Sequence, residues 1–593
     1  MTKLKLKIHQ TKHILADFPT ILNYLTDCLN LGDINTIHIF PELYLTGYPL
    51  KDLCLQKSFI TSYLHLIEQI NQYSINISDI HKNSNQALLI GGLYYTFDDE
   101  KIPLSIENVV FELIPGKKLK KLYTKILLPN YDIFDEKKYF KNGTESCVYQ
   151  FNDQNIGIMI CEDMWHTNVY KIDPIKILLD RKVKLDAIVN LSASPYFLGK
   201  PEKRIIRAKE ISNIFNCPFF YVNRVGAEDE IIFDGQSFAV IDNKTTYLKM
   251  FESDIKEFDL SKSLINSLDS SNEKIFKTEN TWEALFAPNL DNQSPPQINT
   301  LSDQQCETLL NSIIFGLQEY TQKNNFKNFL VALSGGLDSA IVLAIAKIAI
   351  KKSASNQIVE AIFMPGKYTE TLSYDLSYEM CELVKIKLYN LPIKFMHSAI
   401  ENAFLDGTKM PLDGLSGENI QSRIRGSLLY ALANKTGSMV INTSNKSELS
   451  VGYSTLYGDS VGAISILGDL YKSEIYQLAK FINKSYGQLI PENIIIRDPS
   501  AELRDNQKDS DSLPRYIILD SILEAYLSCR YDIDDIIKMG FSEDDVYKTI
   551  RLYKNSEFKR SQFCPILKLK NKSFGFGYRI PINYKLYNKS REI

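Results

Sequence analysis

Phe329-Leu330-Val331-Ala332-Leu333-Ser334-Gly335-Gly336-Leu337-Asp338-Ser339 is the stretch that decides the fold of the second half of this chain. Its apolar start predicts a buried strand, and the helical pattern over 340–347 predicts a helix after the two glycines. A strand, a glycine turn and a helix N-terminus direct backbone N–H groups and hydroxyls at one point, which suits a phosphate. No Gly-Lys-Ser/Thr follows at the Walker spacing. The stretch therefore predicts another kind of phosphate loop, with an ordinary glycine turn as the alternative.

Bulk composition excludes several classes of protein. The chain has 593 residues, of which 44% are hydrophobic and 23% charged, as in globular proteins with room for two to four domains. The net charge of −3 gives no indication of nucleic acid or an anionic membrane as a partner. Nine cysteines without a Cys-x-x-Cys pair fit reduced thiols in the cytoplasm. The sequence contains no run of 18 apolar residues, so we expect no membrane span.

The two halves of the chain read as different domains. Up to about residue 265, short apolar runs such as 36–40, 87–93, 156–160 and 187–191 alternate with helix-compatible segments, which predicts a layered α/β domain. Residues 267–301 are rich in Ser, Asn, Asp and Pro and read as a linker. A helix from about 303 to 323 then leads into the phosphate loop, and strands at 359–364 and 439–442 predict a doubly wound parallel sheet. We expect domains at 1–266 and 302–593.

Three residues of the first half carry a possible nucleophilic site. Cys161 ends an apolar strand, Glu42 follows Phe40-Pro41, and Lys125 precedes Ile126-Leu127-Leu128-Pro129. Each alone has a simpler interpretation, as a core thiol or a solvated charge. Together, in the contexts Pro-Glu-Leu-x-x-x-Gly-Tyr, Lys-x-Leu-Leu-Pro-Asn-Tyr and Cys-Glu-Asp-x-Trp, they resemble the Glu-Lys-Cys triad of the nitrilase-type amidases. That resemblance implies an αββα sandwich for this half.

The resemblance also implies a chemistry and a substrate. The Cys161 thiolate attacks an amide carbon, Glu42 carries the proton, and Lys125 stabilises the oxyanion and is expected to lower the thiol pKa. In the related glutamine amidotransferases the positions of Tyr131, Ser194 and Lys200 bind glutamine. Glu136 is either an orienting group for the triad or part of a solvated loop.

The phosphate loop resembles that of the ATP pyrophosphatases, which adenylate a carboxyl or carbonyl group. The resemblance implies a Rossmann-like domain whose ATP site comprises Ala332, Leu333, Ser334, Gly335, Gly336, Leu337, Asp338, Ser339 and Thr443. Asp338 and Glu448 offer oxygen ligands for Mg²⁺.

Three further stretches, at 417–426, 442–472 and 499–504, resemble the NAD⁺ synthetases. Taken together with the first half, they make almost the whole chain similar to the NAD⁺ synthetases that use glutamine. This implies deamido-NAD⁺ contacts from Asn419, Arg423, Glu448 and Lys559. Asn419 and Arg423 stand four residues apart and would share a helix face. After Arg560 the sequence departs from the family pattern.

The expected reaction joins both halves. Glutamine would be hydrolysed at Cys161, and the ammonia would amidate deamido-NAD⁺ through an adenylate made from ATP, in what we expect to be a homo-oligomer. Ammonia must travel as neutral NH₃, which favours a sheltered passage. One alternative is an amidotransferase with another acceptor, and a second is a binding protein that keeps the fold without the activity.

Overall fold

The computed structural model describes residues 4–77, 85–165, 170–260, 300–353, 356–504, 507–588 and 591–592, with 295, 296 and 298. The chain divides into two compact units, one of residues 1–228 and 232–287, the other of residues 229–231 and 288–593. The predicted linker at 267–301 lies almost entirely outside the described residues, and the domain boundaries stay predictions. Among the helices that the structure describes, none has the length and apolarity to cross a membrane.

Strands of the first unit form two six-stranded sheets. In chain order the strands are β1 Lys5–Gln10, β2 Ile34–Ile39, β3 Asn85–Phe97, β4 Pro103–Leu113, β5 Lys120–Thr124, β6 Cys147–Phe151, β7 Gln154–Ile160, β8 Ala187–Ser192, β9 Phe219–Asn223, β10 Val225–Glu228, β11 Ile231–Asp234, β12 Phe238–Ile241, β13 Lys244–Tyr247 and β14 Asp254–Asp259. One sheet has the order β14-β1-β2-β3-β4-β5 and the other β13-β12-β9-β8-β7-β6, while β10 pairs with β11 in a separate two-stranded sheet. Neighbours are parallel at the centre of each sheet and antiparallel at its edges.

The two sheets pack face to face, because one buried cluster contains Ile8 and Ile37 from the first sheet and Val189 and Val222 from the second. Helices cover the outer faces. They are Phe18–Asn30, Lys57–Asn76, Glu136–Tyr139, Pro174–Asp180 and Lys200–Phe215, with 3₁₀ turns at Lys51–Leu55 and Cys161–Met164. Ile211, for example, packs with the outer side chains of β7 to β9 and β12. The αββα sandwich is confirmed.

The second unit is built on one parallel sheet. Its strands are β15 Asn328–Leu333, β16 Val359–Phe363, β17 Lys387–Asn390, β18 Ser438–Asn442 and β19 Ile464–Ser465, and a separate ribbon joins β20 Tyr587–Asn588 to β21 Arg591–Glu592. The order β17-β16-β15-β18-β19 reverses direction between β15 and β18. In an open parallel sheet, a ligand binds at the carboxyl ends of the strands at such a reversal. The doubly wound domain is confirmed.

Helices of the second unit cover both faces of this sheet and form a further helical cluster. They are Asp303–Lys323, Leu337–Lys352, Thr371–Val384, Lys394–Thr408, Gly414–Thr436, Lys446–Val451, Lys472–Tyr486, Glu492–Ile496, Tyr516–Leu527, Ile533–Lys538, Glu543–Lys554 and Glu557–Arg560, with a 3₁₀ turn at Asp509–Asp511. Helix Leu337–Lys352 is apolar almost throughout and buried on most sides. Its burial fixes the position of the phosphate loop at its N-terminus.

Candidate active sites

Three strands of the first unit present the predicted nucleophilic trio. Glu42 lies three residues beyond β2, Lys125 directly follows β5, and Cys161 directly follows β7. Their relative exposures are 2%, 1% and 7%. The Nζ atom of Lys125 lies 2.6 Å from Oε1 of Glu42, and the charges of both residues act on the pKa of the Cys161 thiol. The structure thus brings the three side chains together in one buried cluster.

A second carboxylate holds the lysine from the other side. Nζ of Lys125 donates to both carboxylate oxygens of Glu136, at 2.9 and 2.8 Å. The Tyr48 hydroxyl donates to Glu136 at 3.0 Å. Burial disfavours the ammonium, but Glu136 and Glu42 outweigh burial and raise the pKa of Lys125. Lys125 is therefore a fixed cation, and Glu136 is an orienting group rather than part of a solvated loop.

Glu42 is fixed by two further donors. The side-chain amide of Asn108 donates to Oε1 at 2.8 Å, and the backbone N–H of Ala193 donates to Oε2 at 2.9 Å. Together with the bond from Lys125, these donors fix the orientation of the carboxylate. Glu42 is therefore held close to Cys161 as the candidate base.

The backbone at Cys161 is strained and anchored. Its φ of +41° lies in the left-handed region, which side chains seldom adopt and which occurs at functional sites. Its N–H donates to Oδ1 of Asn190 at 2.7 Å, and Ser192 donates to the same oxygen at 3.0 Å. Asp163 accepts the Ile160 N–H at 3.0 Å. These bonds hold the turn that presents the thiol.

The thiol pKa is raised overall. Burial and the Glu42 carboxylate raise the pKa of Cys161 well above its usual range. Lys125 lowers that pKa, as expected, but its contribution is smaller than those of burial and Glu42. The resting group is a thiol that needs a base.

Two of the predicted glutamine residues meet beside the nucleophile. The Tyr131 hydroxyl donates to Glu162, the residue after Cys161, at 3.0 Å, and Tyr170 donates to it at 2.8 Å. Nζ of Lys200 lies 4.3 Å from the centre of the Trp165 ring. Burial lowers the pKa of Lys200 to about 8, and Arg204 contributes to the lowering. Tyr131, Glu162 and Lys200 therefore form a polar cluster close to Cys161.

Ser194 belongs to a neighbouring buried brace. Its N–H donates to Asn223 at 2.9 Å, and Arg204 donates to its carbonyl oxygen at 2.8 Å and its hydroxyl at 3.1 Å. Arg204 in turn pairs with Asp234 at 2.8 Å, and both side chains are fully buried. Ser194 is thus a fixed point in the loop that follows β8.

The phosphate loop of the second unit has the predicted form. Ser334 follows β15, and the helix begins at Leu337. The hydroxyls of Ser334 and Ser339 lie 3.2 Å apart. Gly335 has a φ of +77°, and a Cβ there would lie 2.7 Å from the Cα of Ser373. Glycine is required at this position both by its conformation and by the close approach of another backbone.

A cavity of about 270 Å³ opens at the carboxyl ends of β15, β16 and β18. Of the predicted ATP residues, the following line it: Ala332, Leu333, Ser334, Gly336, Leu337, Asp338, Ser339 and Thr443. Gly335 shapes the loop without lining the cavity. The sheet reversal and the phosphate loop therefore share one cavity.

Opposed charges meet inside this cavity. Nζ of Lys472 forms an ion pair with Oδ2 of Asp338, while Oδ1 of Asp338 is buried without a hydrogen-bond partner among the described residues. Burial and the Asp338 charge raise the pKa of Glu448 well above its usual range. An unsatisfied carboxylate oxygen beside a second carboxylate fits a hard cation such as Mg²⁺.

The remaining dinucleotide candidates gather elsewhere in the second unit. Asn419 and Arg423 lie one turn apart on helix Gly414–Thr436, as their spacing predicted. Asn419 accepts from the hydroxyl of Thr455 at 2.8 Å, and Arg423 donates to the Leu456 carbonyl at 3.3 Å. Lys559 donates to two carbonyls of residues 452–454, at 2.7 and 2.6 Å. All three contact segment 452–456, and none lines the 270 Å³ cavity, whereas Glu448 does.

Several cavity residues were not singled out from the sequence. Lys472 is one, and segment 497–503 supplies others. Arg497 donates to the Ser373 hydroxyl at 2.8 Å and to Glu502 at 2.6 Å. Lys472 and Glu502 both stand in stretches that resemble the family, but a single sequence does not show which carboxylate or ammonium of a stretch faces the cavity.

Two family models match the two halves of the chain. The family model described as carbon-nitrogen hydrolase matches residues 36–244, and the one described as NAD synthase matches residues 309–563. The chain thus joins a carbon-nitrogen hydrolase domain to an NAD synthase domain.

Full-length relatives identify the family. A glutamine-dependent NAD⁺ synthetase of Thermotoga maritima is 33% identical over 98% of this chain and 99% of its own length. One of Synechocystis is 34% identical over 91% of each chain. The chain belongs to the glutamine-dependent NAD⁺ synthetases. The solved structure of such an enzyme from Acinetobacter baumannii, in complex with ADP, is 29% identical and covers 98% of each chain with a TM-score of 0.68.

Proposed function

We propose that this chain hydrolyses glutamine in its first unit and uses the ammonia in its second unit to convert deamido-NAD⁺ to NAD⁺ at the expense of ATP. The observation that carries the proposal is that one chain holds both the Glu42–Lys125–Cys161 cluster and a phosphate loop at a sheet reversal. Membership of the family supports the same pair of reactions.

The first reaction follows from the thiol, the base and the cation. Glu42 takes the proton of the Cys161 thiol as the sulfur attacks the amide carbon of glutamine, and it returns that proton to the departing ammonia. Lys125 directs an N–H at the oxyanion by releasing one of its two bonds to Glu136. Water, deprotonated by Glu42, then cleaves the thioester to glutamate and restores the thiol. Tyr131, Ser194 and Lys200 are proposed to hold the amino-acid end.

The second reaction needs a leaving group, because a carboxylate resists attack by ammonia. The loop from Ser334 to Ser339 is proposed to hold the β- and γ-phosphates, leaving the α-phosphorus for the nicotinate carboxylate. Pyrophosphate leaves, ammonia attacks the acyl adenylate, and AMP departs. Asp338 and Glu448 would hold Mg²⁺, which neutralises phosphate charge when bound. Lys472 pairs with Asp338 and orients its carboxylate.

Deamido-NAD⁺ is proposed to meet Asn419, Arg423 and Lys559 around segment 452–456, and Glu448 from the cavity side. Two cations and an amide around one segment suit a dinucleotide with phosphate and carboxylate groups. We further propose a homo-oligomer, since Phe395 and Leu415 are 84% and 72% exposed on consecutive helices. A cytoplasmic location remains the proposal that fits nine unpaired cysteines.

The decisive experiment follows the oxygen of the substrate carboxylate. With ¹⁸O in the carboxylate of deamido-NAD⁺, we expect AMP to carry one label and pyrophosphate none, with glutamine and with ammonium alike. ADP as the stoichiometric product, or label in phosphate, would overturn the adenylation mechanism. A panel of other carboxylate acceptors tests the alternative of an amidotransferase with a different acceptor, which requires faster turnover of one of them than of deamido-NAD⁺.

A further inference from the structure

A buried cluster of soft ligands lies in the first sheet and its covering helix, and the reactions above do not use it. His9 lies on β1, His38 on β2 and Cys28 on helix Phe18–Asn30. Their relative exposures are 1%, 0% and 5%. One ligand atom from each of the three lies within 4.8 Å of the other two. Three separate elements therefore direct two imidazoles and a thiol at one point.

The two imidazoles face each other with their inner nitrogens. Nε2 of His9 and Nδ1 of His38 are 3.0 Å apart. Each outer nitrogen lies near an oxygen: the Tyr24 hydroxyl is hydrogen-bonded to Nδ1 of His9 at 3.0 Å, and an Asp33 carboxylate oxygen lies 3.2 Å from Nε2 of His38 without a hydrogen bond between them. Histidines that bind metals are oriented in this way, with the far ring nitrogen bonded to a carboxylate or another oxygen.

A simpler reading is a neutral hydrogen-bonded pair. A chain of donors from Tyr24 through His9 to His38 satisfies three of the four ring nitrogens and leaves Nε2 of His38 without a hydrogen bond to any residue that the structure describes. That reading needs only the two imidazoles and gives no role to the thiol of Cys28 at the same point. Nitrogen and sulfur ligands together are the set that zinc takes in proteins.

We propose that His9, His38 and Cys28 form a zinc site that ties β1 and β2 to the helix covering them. The geometry requires small adjustments. With zinc about 2.0–2.1 Å from each nitrogen, tetrahedral angles need about 3.3 Å between the two nitrogens, an opening of about 0.3 Å from the observed distance. The Cys28 sulfur, which lies within 4.8 Å of the other two ligand atoms, must come to about 3.6 Å from each nitrogen for a Zn–S bond of about 2.3 Å. A water molecule takes the fourth position.

Zinc binding changes the protonation of Cys28 and His9. Coordination requires both imidazoles neutral and Cys28 as a thiolate, so zinc displaces the thiol proton, which is released to solvent. The ring proton of His9 moves from Nε2 to Nδ1, where the Tyr24 oxygen accepts it.

The test uses the full-length chain and measures metal directly. After exposure to about 10 μM Zn²⁺ and dialysis, elemental analysis should find one zinc per chain. Cobalt in its place should give visible bands and a thiolate-to-cobalt charge-transfer band. Cys28→Ser should lose the charge-transfer band, and His38→Gln should lose the bound ion. The matched control is Cys217→Ser, a thiol 2% exposed in the same unit, which should keep both.

Wild-type measurements keep the proposal falsifiable if a variant fails to fold. Zinc should raise the Tm of the wild-type chain, and a chelator should reverse the rise. A folded wild-type chain that takes up no zinc under these conditions overturns the proposal. Wild-type levels of cobalt and an unchanged spectrum in Cys28→Ser and His38→Gln would overturn it as well, because the ion would then be bound elsewhere.

Discussion

Replacing Lys125 with Met tests the first site most severely, because this lysine is the shared partner of two buried carboxylates. Losing one oxyanion donor costs about 10²–10³ in kcat. Losing one partner of a buried ion pair destabilises a protein by about 3–5 kcal/mol. We therefore expect glutamine hydrolysis to fall at least 10²-fold and the Tm to drop measurably.

The loss of stability should depend on pH in a definite direction. Without the ammonium, Glu136 keeps the neighbouring carboxylate of Glu42 but loses its cation, so its folded-state pKa rises further above the unfolded value. Burial already raises that of Glu136 to about 7 in the presence of the lysine. A raised folded-state pKa gives stability that is present at low pH and lost as pH rises through it. The Tm difference between Lys125→Met and wild type should therefore be larger at pH 8.5 than at pH 6.

The assay compares two nitrogen sources. Glutamate release and glutamine-dependent NAD⁺ formation should fall together in Lys125→Met, while ammonium-dependent NAD⁺ formation survives, since that chemistry belongs to the other unit. Lys138→Met is the matched control, because that lysine is on the surface beside Glu136 and its pair with Asp52 is exposed. Near-wild-type glutamine hydrolysis in Lys125→Met, with the protein folded, would refute the oxyanion role and the reasoning from buried charge.

Three other substitutions address separate steps. Cys161→Ala should abolish glutamine-dependent NAD⁺ formation and leave the ammonium-dependent rate within about twofold; retained glutamine use would show that another group is the nucleophile. Because burial lowers the pKa of Lys200 to about 8, the KM for glutamine should rise above pH 8 as the ammonium is lost, and Lys200→Arg should flatten that rise; a pH-independent KM in wild type would remove Lys200 from the carboxylate contact. Gly335→Ala should raise the KM for ATP with either nitrogen source, because its Cβ would meet Ser373 at 2.7 Å; an unchanged KM would show that the loop does not hold the phosphates.

Sequence reasoning predicted what depends on local pattern. The strand before Ser334, the two glycines and the helix after them are consecutive, so their geometry follows from backbone preferences alone. Glu42, Lys125 and Cys161 each follow a strand. Their meeting was predictable from the resemblance of their local motifs to the nitrilase-type amidases, and not from strand order, since β2 and β5 belong to one sheet and β7 to the other.

Longer-range electrostatics was not predictable in the same way. The thiol pKa depends first on burial and then on the charge of Glu42, and the bidentate contact of Glu136 with Lys125 joins residues on different elements of the fold. Lys472 likewise enters the ATP cavity through the packing of its helix, 134 positions from Asp338. Which charge of a motif turns inward is decided by tertiary packing, and a single sequence carries no record of it.

The two carboxylates around the Lys125 ammonium also affect product release from the glutaminase site. All three N–H bonds of Lys125 are already used, one on Glu42 and two on Glu136. Glutamine enters with a neutral amide, but it leaves as an acid whose new carboxylate is a third anion competing for a single cation. The neutral amide of glutamine meets no repulsion there, whereas the new carboxylate of the product is repelled by the carboxylates of Glu42 and Glu136. This repulsion favours release of the product before the next turnover.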